Sequence, residues 1–114
     1  MLKNKEPQPG DDKGLYTGLM RLHILHEAEQ GEVCGVWVTE QLRQHGYEIS
    51  PGTLYPMLHG LEKKGYLSSI KERVGKTMRR VYAITPEGSR ALEESKGKVR
   101  DLFGELFEAD GKNR

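Results

Sequence analysis

Between Ile49 and Thr85 the chain runs without a gap through a helix start signal, an apolar-striped segment, a glycine stop and two basic stretches rich in β-formers. Few folds accommodate that order. Ser50 suits an N-cap, and Pro51 suits the first helical position, where its missing N–H has no helical partner anyway. Gly65, following Lys63 and Lys64, is a natural stop. Leu54, Met57, Leu58 and Leu61 recur at helical spacing as one stripe, which puts Gly52, Pro56, His59 and Lys63 on the opposite side. Glu62 lies beside the stripe, so the free face carries no acid to repel phosphate, although an ordinary solvated face has the same look. The Pro56 ring should clash with the Gly52 carbonyl and remove one hydrogen bond. A short or bent first turn is expected there, with the backbone from Thr53 to Pro56 presented outward.

The next segment gives that helix a context. Tyr66 to Ile70 and Met78 to Ile84 are rich in β-formers, and the connection between them carries Gly75 and Lys76, which predicts a hairpin with a basic tip. From residue 51 to 82 there are seven bases (Lys63, Lys64, Lys71, Arg73, Lys76, Arg79 and Arg80) against two acids (Glu62 and Glu72), a net +5. The whole chain is only +1, so the remainder is −4. Positive charge gathered on one helix and one hairpin is the electrostatic footprint of a duplex binder; the structure expected is a recognition helix followed by a wing.

With those elements in place, the sequence GTLYPMLHGLEKKGYL (Gly52 to Leu67), RRVYAITPEG (Arg79 to Gly88) and a preceding glycine-to-leucine element (Gly35 to Leu42) resembles the PadR family of bacterial transcriptional regulators. The resemblance runs from about Leu15 to Leu92. It departs at Val36 and Trp37, where the family usually reads Tyr-Glu after the glycine. What it implies is a dimeric winged helix-turn-helix protein. Such proteins are mostly repressors, bind pseudo-palindromic operators in double-stranded DNA and are released by a small molecule or another signal.

At 114 residues and 35% hydrophobic content the chain is expected to be one domain with a modest core, for which a partner subunit is welcome. No apolar run approaches the ~18 residues of a membrane span, and a signal-peptide core is missing, so a cytoplasmic protein is expected. The lone Cys34 has no partner for an intramolecular disulfide and reads as a small, partly buried residue. Residues 1–13 are polar, with Pro7, Pro9 and Gly10, and read as a disordered tail, and residues 111–114 read as a short C-terminal tail. Leu15, Leu19, Leu22, Ile24, Leu25 and Ala28 make a first helix with a broad apolar face, ending before Gly31. Val36 to His45 is a second, with Val38 and Leu42 inward and Gly46 as its stop. The turn from Gly46 to Ile49 then completes a helix-turn-helix.

A last helix, residues 86–110, opens on Thr85 as N-cap, Pro86 and Glu87. Leu92, Val99 and Leu106 are seven apart, and Leu102, Phe103 and Phe107 widen the stripe, which predicts pairing with a two-fold partner. Folding back onto its own domain is the alternative. Gly97 and Gly104 weaken such a helix by roughly 1 kcal/mol each relative to Ala.

The fold class expected is therefore α+β: a winged helix-turn-helix domain of three helices and a two-stranded wing (residues 14–85) with a C-terminal dimerisation helix. Thr53, Tyr55, Pro56 and His59 are the candidates for base edges; Ser50, Lys63, Lys64, Lys71, Arg73, Lys76, Arg79 and Arg80 are the candidates for phosphate. The dimer interface is assigned to Leu15, Leu19 and Leu22 with Leu92, Val99, Leu102, Phe103, Leu106 and Phe107, and a pocket for a flat apolar effector to Trp37 and Phe103. No enzyme, cofactor or metal is expected: His23 and His26 lack a matching third ligand, and no nucleophile and base are suitably spaced. The rival reading is a winged protein-interaction module whose basic face is incidental.

Overall fold

The computed structural model describes residues 13–108. Helix α1 (Lys13–Gln30) leads through a two-residue strand β1 (Val33–Cys34) into α2 (Gly35–Gln44) and α3 (Pro51–Lys63). Strands β2 (Leu67–Val74) and β3 (Thr77–Ile84) form the hairpin, and α4 (Pro86–Phe103) closes the chain with a π-helical turn over Gly104–Glu108. The tail expected at residues 1–13 falls outside the described residues except for Lys13, which belongs to α1; residues 111–114 lie outside them too.

The sheet has three antiparallel strands in the order β1-β3-β2: the expected two-stranded wing, β2 with β3, joined at its root by β1. The extra strand pairs Val33 with Tyr82 and Cys34 with Val81, stitching the root of the wing to the entry of α2. A strand of two residues is too short to show alternation, so no periodicity announces it. Strands β2 and β3 are also longer than their β-former cores. They pair from Leu67 with Ile84 out to Val74 with Thr77, leaving a two-residue turn in which Gly75 takes φ 63°.

Helices α2 and α3 stop by the same device. Gly46 and Gly65 take φ of 90° and 87°, a left-handed conformation that costs a side-chain-bearing residue energy. The amide of each glycine donates three residues back, to Arg43 and Glu62, and the next amide, of Tyr47 or Tyr66, donates five residues back, to Leu42 or Leu61. These are Schellman stops, and each following tyrosine packs against the core.

The core lies where α1, α2, α3 and the wing root meet. Ile24, Val38, Leu42, Leu54, Leu58, Leu67 and Tyr82 are its most enclosed members. In α3 the buried residues are the four of the expected stripe. In α1 they are Met20, Ile24, Leu25 and Ala28, whereas Leu15 and Leu19 are exposed and Leu22 is half-buried. The broad apolar face is thus two faces, one given to the core and one turned outward. Leu92 of α4 is only 4% exposed and packs in the core cluster, so it belongs to the chain's own interior and leaves the proposed interface. The root of α4 does fold back, as the alternative reading had it, while its outer half does not bury its apolar residues.

Thr85, Pro86, Glu87 and Gly88 explain that root residue by residue. The Thr85 hydroxyl accepts from the Gly88 amide at 3.0 Å and donates to the Gly65 carbonyl, and the Thr85 amide donates to the Tyr66 carbonyl at 3.0 Å. Pro86 holds the first helical position and Glu87 sits in the first turn. Gly88 faces the Tyr66 carbonyl so closely that a Cβ there would collide with its oxygen and come within 2.8 Å of the Ile84 side chain. The start of α4 is therefore clamped onto the stop of α3.

Candidate nucleic-acid interface

Helix α3 presents its N-terminal half outward. Gly52, Tyr55, Pro56 and His59 are exposed and Thr53 is half-buried, while the stripe holds the opposite side in the core. Ser50 occupies the N-cap position with extended backbone, but its hydroxyl makes no cap hydrogen bond. The Ser50 carbonyl instead accepts from the amides of Thr53 and Leu54 at 3.0 and 2.9 Å. Pro56 does not shorten the helix: α3 runs unbroken from Pro51 through it to Lys63. The lost bond is that of the Gly52 carbonyl, and both Gly52 and Pro56 are exposed, where water can satisfy it.

Tyr55 is 41% exposed, and the edge of its ring lies on Gly35, where a Cβ would stand within 2.8 Å of two ring carbons. Gly35 opens α2, so this contact sets how the two helices of the helix-turn-helix meet. The sequence marks Gly35 as a motif residue; its reason is the tyrosine ring 20 positions on.

In the wing, the register separates bases that the sequence places together. Neighbouring residues of a strand point to opposite faces. Lys71 pairs with Arg80 and Arg73 with Met78, so Lys71, Arg73 and Arg80 share the face of Leu67 and Tyr82, the face toward α3. Arg79 turns the other way with its partner Glu72. Its guanidinium donates to the Glu72 carboxylate at 3.0 Å and to the Cys34 sulfur at 3.6 Å, and the bond to Glu72 above all raises its pKa, keeping it protonated. Both partners of that ion pair are exposed, so it orders the side chain more than it stabilises the fold. Lys76 is exposed at the turn, and Lys63 and Lys64 are exposed at the end of α3.

A connection between α3 and the wing went unseen in the sequence. The Ser69 hydroxyl donates to Glu62 at 2.9 and 3.0 Å and accepts from Arg80 at 3.0 Å. Glu62 is thus engaged with the wing. A serine amid β-formers carries no signal of such a role.

The other candidate residues lie away from this surface. Between α1 and α4 runs a groove of about 540 Å³ lined by Leu19, Leu22, Val99 and Phe103, with His23, His26, Ser95, Lys96 and Arg100 among its polar members. Leu102, Leu106 and Phe107 continue the apolar face, 49–62% exposed, with the Phe103 and Phe107 rings 4.9 Å apart across the π-helical turn. Trp37 is exposed on α2 and does not line this groove, so within one chain the groove does not unite it with Phe103. His23 stacks on His45, ring centroids 4.4 Å apart, and meets Tyr47 edge-on, tying α1 to the turn before α3. Burial first, then His45, lowers the His23 pKa, with Glu27 opposing and His26 adding. Among the described residues no group of three or more His, Cys, Asp and Glu is arranged to hold a metal ion, and no helix is long and apolar enough to cross a membrane.

Comparison with known proteins places this geometry. Residues 24–94 match the model of the transcriptional regulator PadR-like family, spanning the helix-turn-helix, the wing and the root of α4. A transcriptional regulator of Mycobacterium tuberculosis is 49% identical over 88 residues, covering 77% of this chain and 82% of that one. Among solved structures, a PadR family transcriptional regulator from Eggerthella lenta superposes with a TM-score of 0.75 at 28% identity, covering 88% of each chain. A transcriptional regulator from Clostridium thermocellum does so with a TM-score of 0.72 at 27% identity, covering 89% of this chain and 98% of that one. The α+β architecture is shared with these winged-helix regulators, and the chain belongs to the PadR-like family of transcriptional regulators.

Proposed function

We propose that this regulator is a cytoplasmic homodimer that represses transcription by binding a pseudo-palindromic operator in double-stranded DNA. A small molecule or another signal releases it. The observation that carries the reading is the exposed N-terminal half of α3, free of acids and flanked by the bases of its own C-terminus and of the inner wing face. Residues 14–85 form the DNA-binding unit. Thr53, Tyr55, Pro56 and His59 approach base edges. Ser50, Lys63, Lys64, Lys71, Arg73 and Arg80 meet phosphates, with Lys76 at the wing tip and Arg79 on the outer face as further phosphate contacts. Residues 86–110 pair the subunits through Val99, Leu102, Phe103, Leu106 and Phe107, joined by Leu15, Leu19 and Leu22 of α1. The exposure of these side chains in one chain, all but the half-buried Leu22, supports that role. The groove beside Phe103 is the place for an apolar effector.

The test is a fluorescence anisotropy titration of wild type and His59→Ala on a duplex selected for tight binding and on a mixed-sequence duplex. Removing a base-edge hydrogen bond costs on the order of 1–3 kcal/mol on the selected site and less on the mixed one. Equal losses on both would move His59 to the backbone. Binding to neither duplex at low salt would favour the protein-interaction module.

A further inference from the structure

Three side chains from α3, β2 and β3 form one hydrogen-bonded line across the junction of helix and wing. Arg80 Nη1 donates to Ser69 Oγ at 3.0 Å, and Ser69 Oγ donates to the Glu62 carboxylate, 2.9 Å from one oxygen and 3.0 Å from the other. A hydroxyl has one proton and two lone pairs, so giving the proton to Glu62 leaves an acceptor for the guanidinium, and the three roles do not compete. Ser69 and Glu62 are half-buried, whereas Arg80 is exposed, so the line runs from a sheltered anchor to a solvent-facing cation. The register puts Arg80 on the face it shares with Lys71 and Arg73. One guanidinium N–H serves Ser69, and the fork has others.

Glu62 is otherwise a defect in this surface. By charge alone an acid at the end of a recognition helix weakens attraction to phosphate. Its place in the line gives it a different effect. An arginine already held in one rotamer loses less side-chain freedom when it takes a phosphate than one that samples many. We propose that Glu62 and Ser69 are positioning residues, which hold the Arg80 guanidinium at the junction of α3 and the wing for a backbone phosphate beside the groove that α3 enters. The proposal rests on the duplex-binding reading above.

Binding is measured by anisotropy on a mixed-sequence duplex several helical turns long, over a series of salt concentrations. The proteins are wild type, Arg80→Ala, Ser69→Ala, Ser69→Thr, Glu62→Ala and the double variant Ser69→Ala with Arg80→Ala. Arg80→Ala is expected to flatten the slope of log K against log salt by about 0.9 for each phosphate it no longer neutralises. Ser69→Ala should weaken binding roughly threefold to tenfold, the scale of one hydrogen bond. The double variant should bind no more weakly than Arg80→Ala alone, because both changes act on the same phosphate. Ser69→Thr keeps the hydroxyl and should restore the wild-type affinity. Glu62→Ala decides the sign: removal of a negative charge alone tightens binding, whereas loss of the anchor weakens it. Losses for Ser69→Ala and Arg80→Ala that multiply, or a Glu62→Ala protein that binds more tightly, would overturn the positioning role with duplex binding intact. A wild-type protein that binds no duplex at any salt would overturn both. A change confined to stability moves the melting temperature and leaves the affinity of the folded protein alone, so melting curves of all variants separate the two effects.

Discussion

Replacing Gly88 by alanine should destabilise the protein, although in an unobstructed helix interior the same change stabilises. Alanine exceeds glycine in helix propensity by about 0.8–1.0 kcal/mol. Against that gain, the new methyl would collide with the Tyr66 carbonyl oxygen and press on Ile84. That carbonyl already accepts the Thr85 amide at 3.0 Å, so moving it away disturbs the hydrogen bond that roots α4. Overpacking typically costs about 1–3 kcal/mol, and the weakened hydrogen bond costs about 1 kcal/mol. The balance is a loss of roughly 1–3 kcal/mol. Gly97, on the same helix, is the control. Nothing lies within 4 Å of a Cβ built there, and at 100° per residue it stands about 140° around the helix from Leu92, away from the apolar stripe. Gly97→Ala should therefore gain roughly 0.5–1 kcal/mol. At about 4–8 °C per kcal/mol for a domain of this size, the two variants should melt on opposite sides of wild type. Thermal unfolding by circular dichroism, at one fixed protein concentration because the melting point of any self-associating protein depends on it, reads the difference. A Gly88→Ala protein that melts at or above wild type would refute the clamp between α4 and the stop of α3.

Protonation of His23 and the outer half of α4 give two further tests. Burial and the neighbouring His45 lower the His23 pKa in the folded state, so the unfolded chain binds that proton more readily. The contribution of neutral His23 is present above about pH 6.5 and is lost as pH falls through its lowered folded value. His23→Gln should flatten the fall of melting temperature on the acid side of pH 6.5, and an unchanged pH profile would contradict the burial account. Leu106 is 55% exposed in one chain, so Leu106→Asp should leave the fold intact; in a paired seam the buried charge is strongly unfavourable, and light scattering should show a monomer. A Leu106→Asp protein that stays dimeric would move the interface to the α1 residues Leu15 and Leu19.

Periodicity and punctuation made much of this structure readable. The α3 stripe, the stop at Gly65 and the Thr85 cap each rest on chemistry within a few residues, and each appears where local rules put it. What stayed hidden depends on contacts distant in sequence. Strand β1 exists because Val33 and Cys34 find β3, nearly 50 residues away, and two residues carry no pattern. Leu92 shares its seven-residue spacing with Val99 and Leu106, and no spacing rule could tell that the first is core and the others are not. Arg79 and Arg80 are adjacent letters of one charge cluster, yet strand alternation sends them to opposite faces with different partners. The Ser50 hydroxyl was expected to cap α3, and the backbone carbonyl beside it accepts from that turn's amides instead.

Selection of bound sequences from a random duplex pool tests the central claim most directly. Two recognition helices related by a two-fold axis should enrich an inverted repeat whose half-sites lie about one helical turn apart, ~34 Å. Binding to the enriched site should weaken steeply with salt, as phosphate contacts require. A pool that returns unenriched, with retention of DNA no greater than that of a non-binding control protein, would contradict the claim that α3 and the wing read duplex DNA.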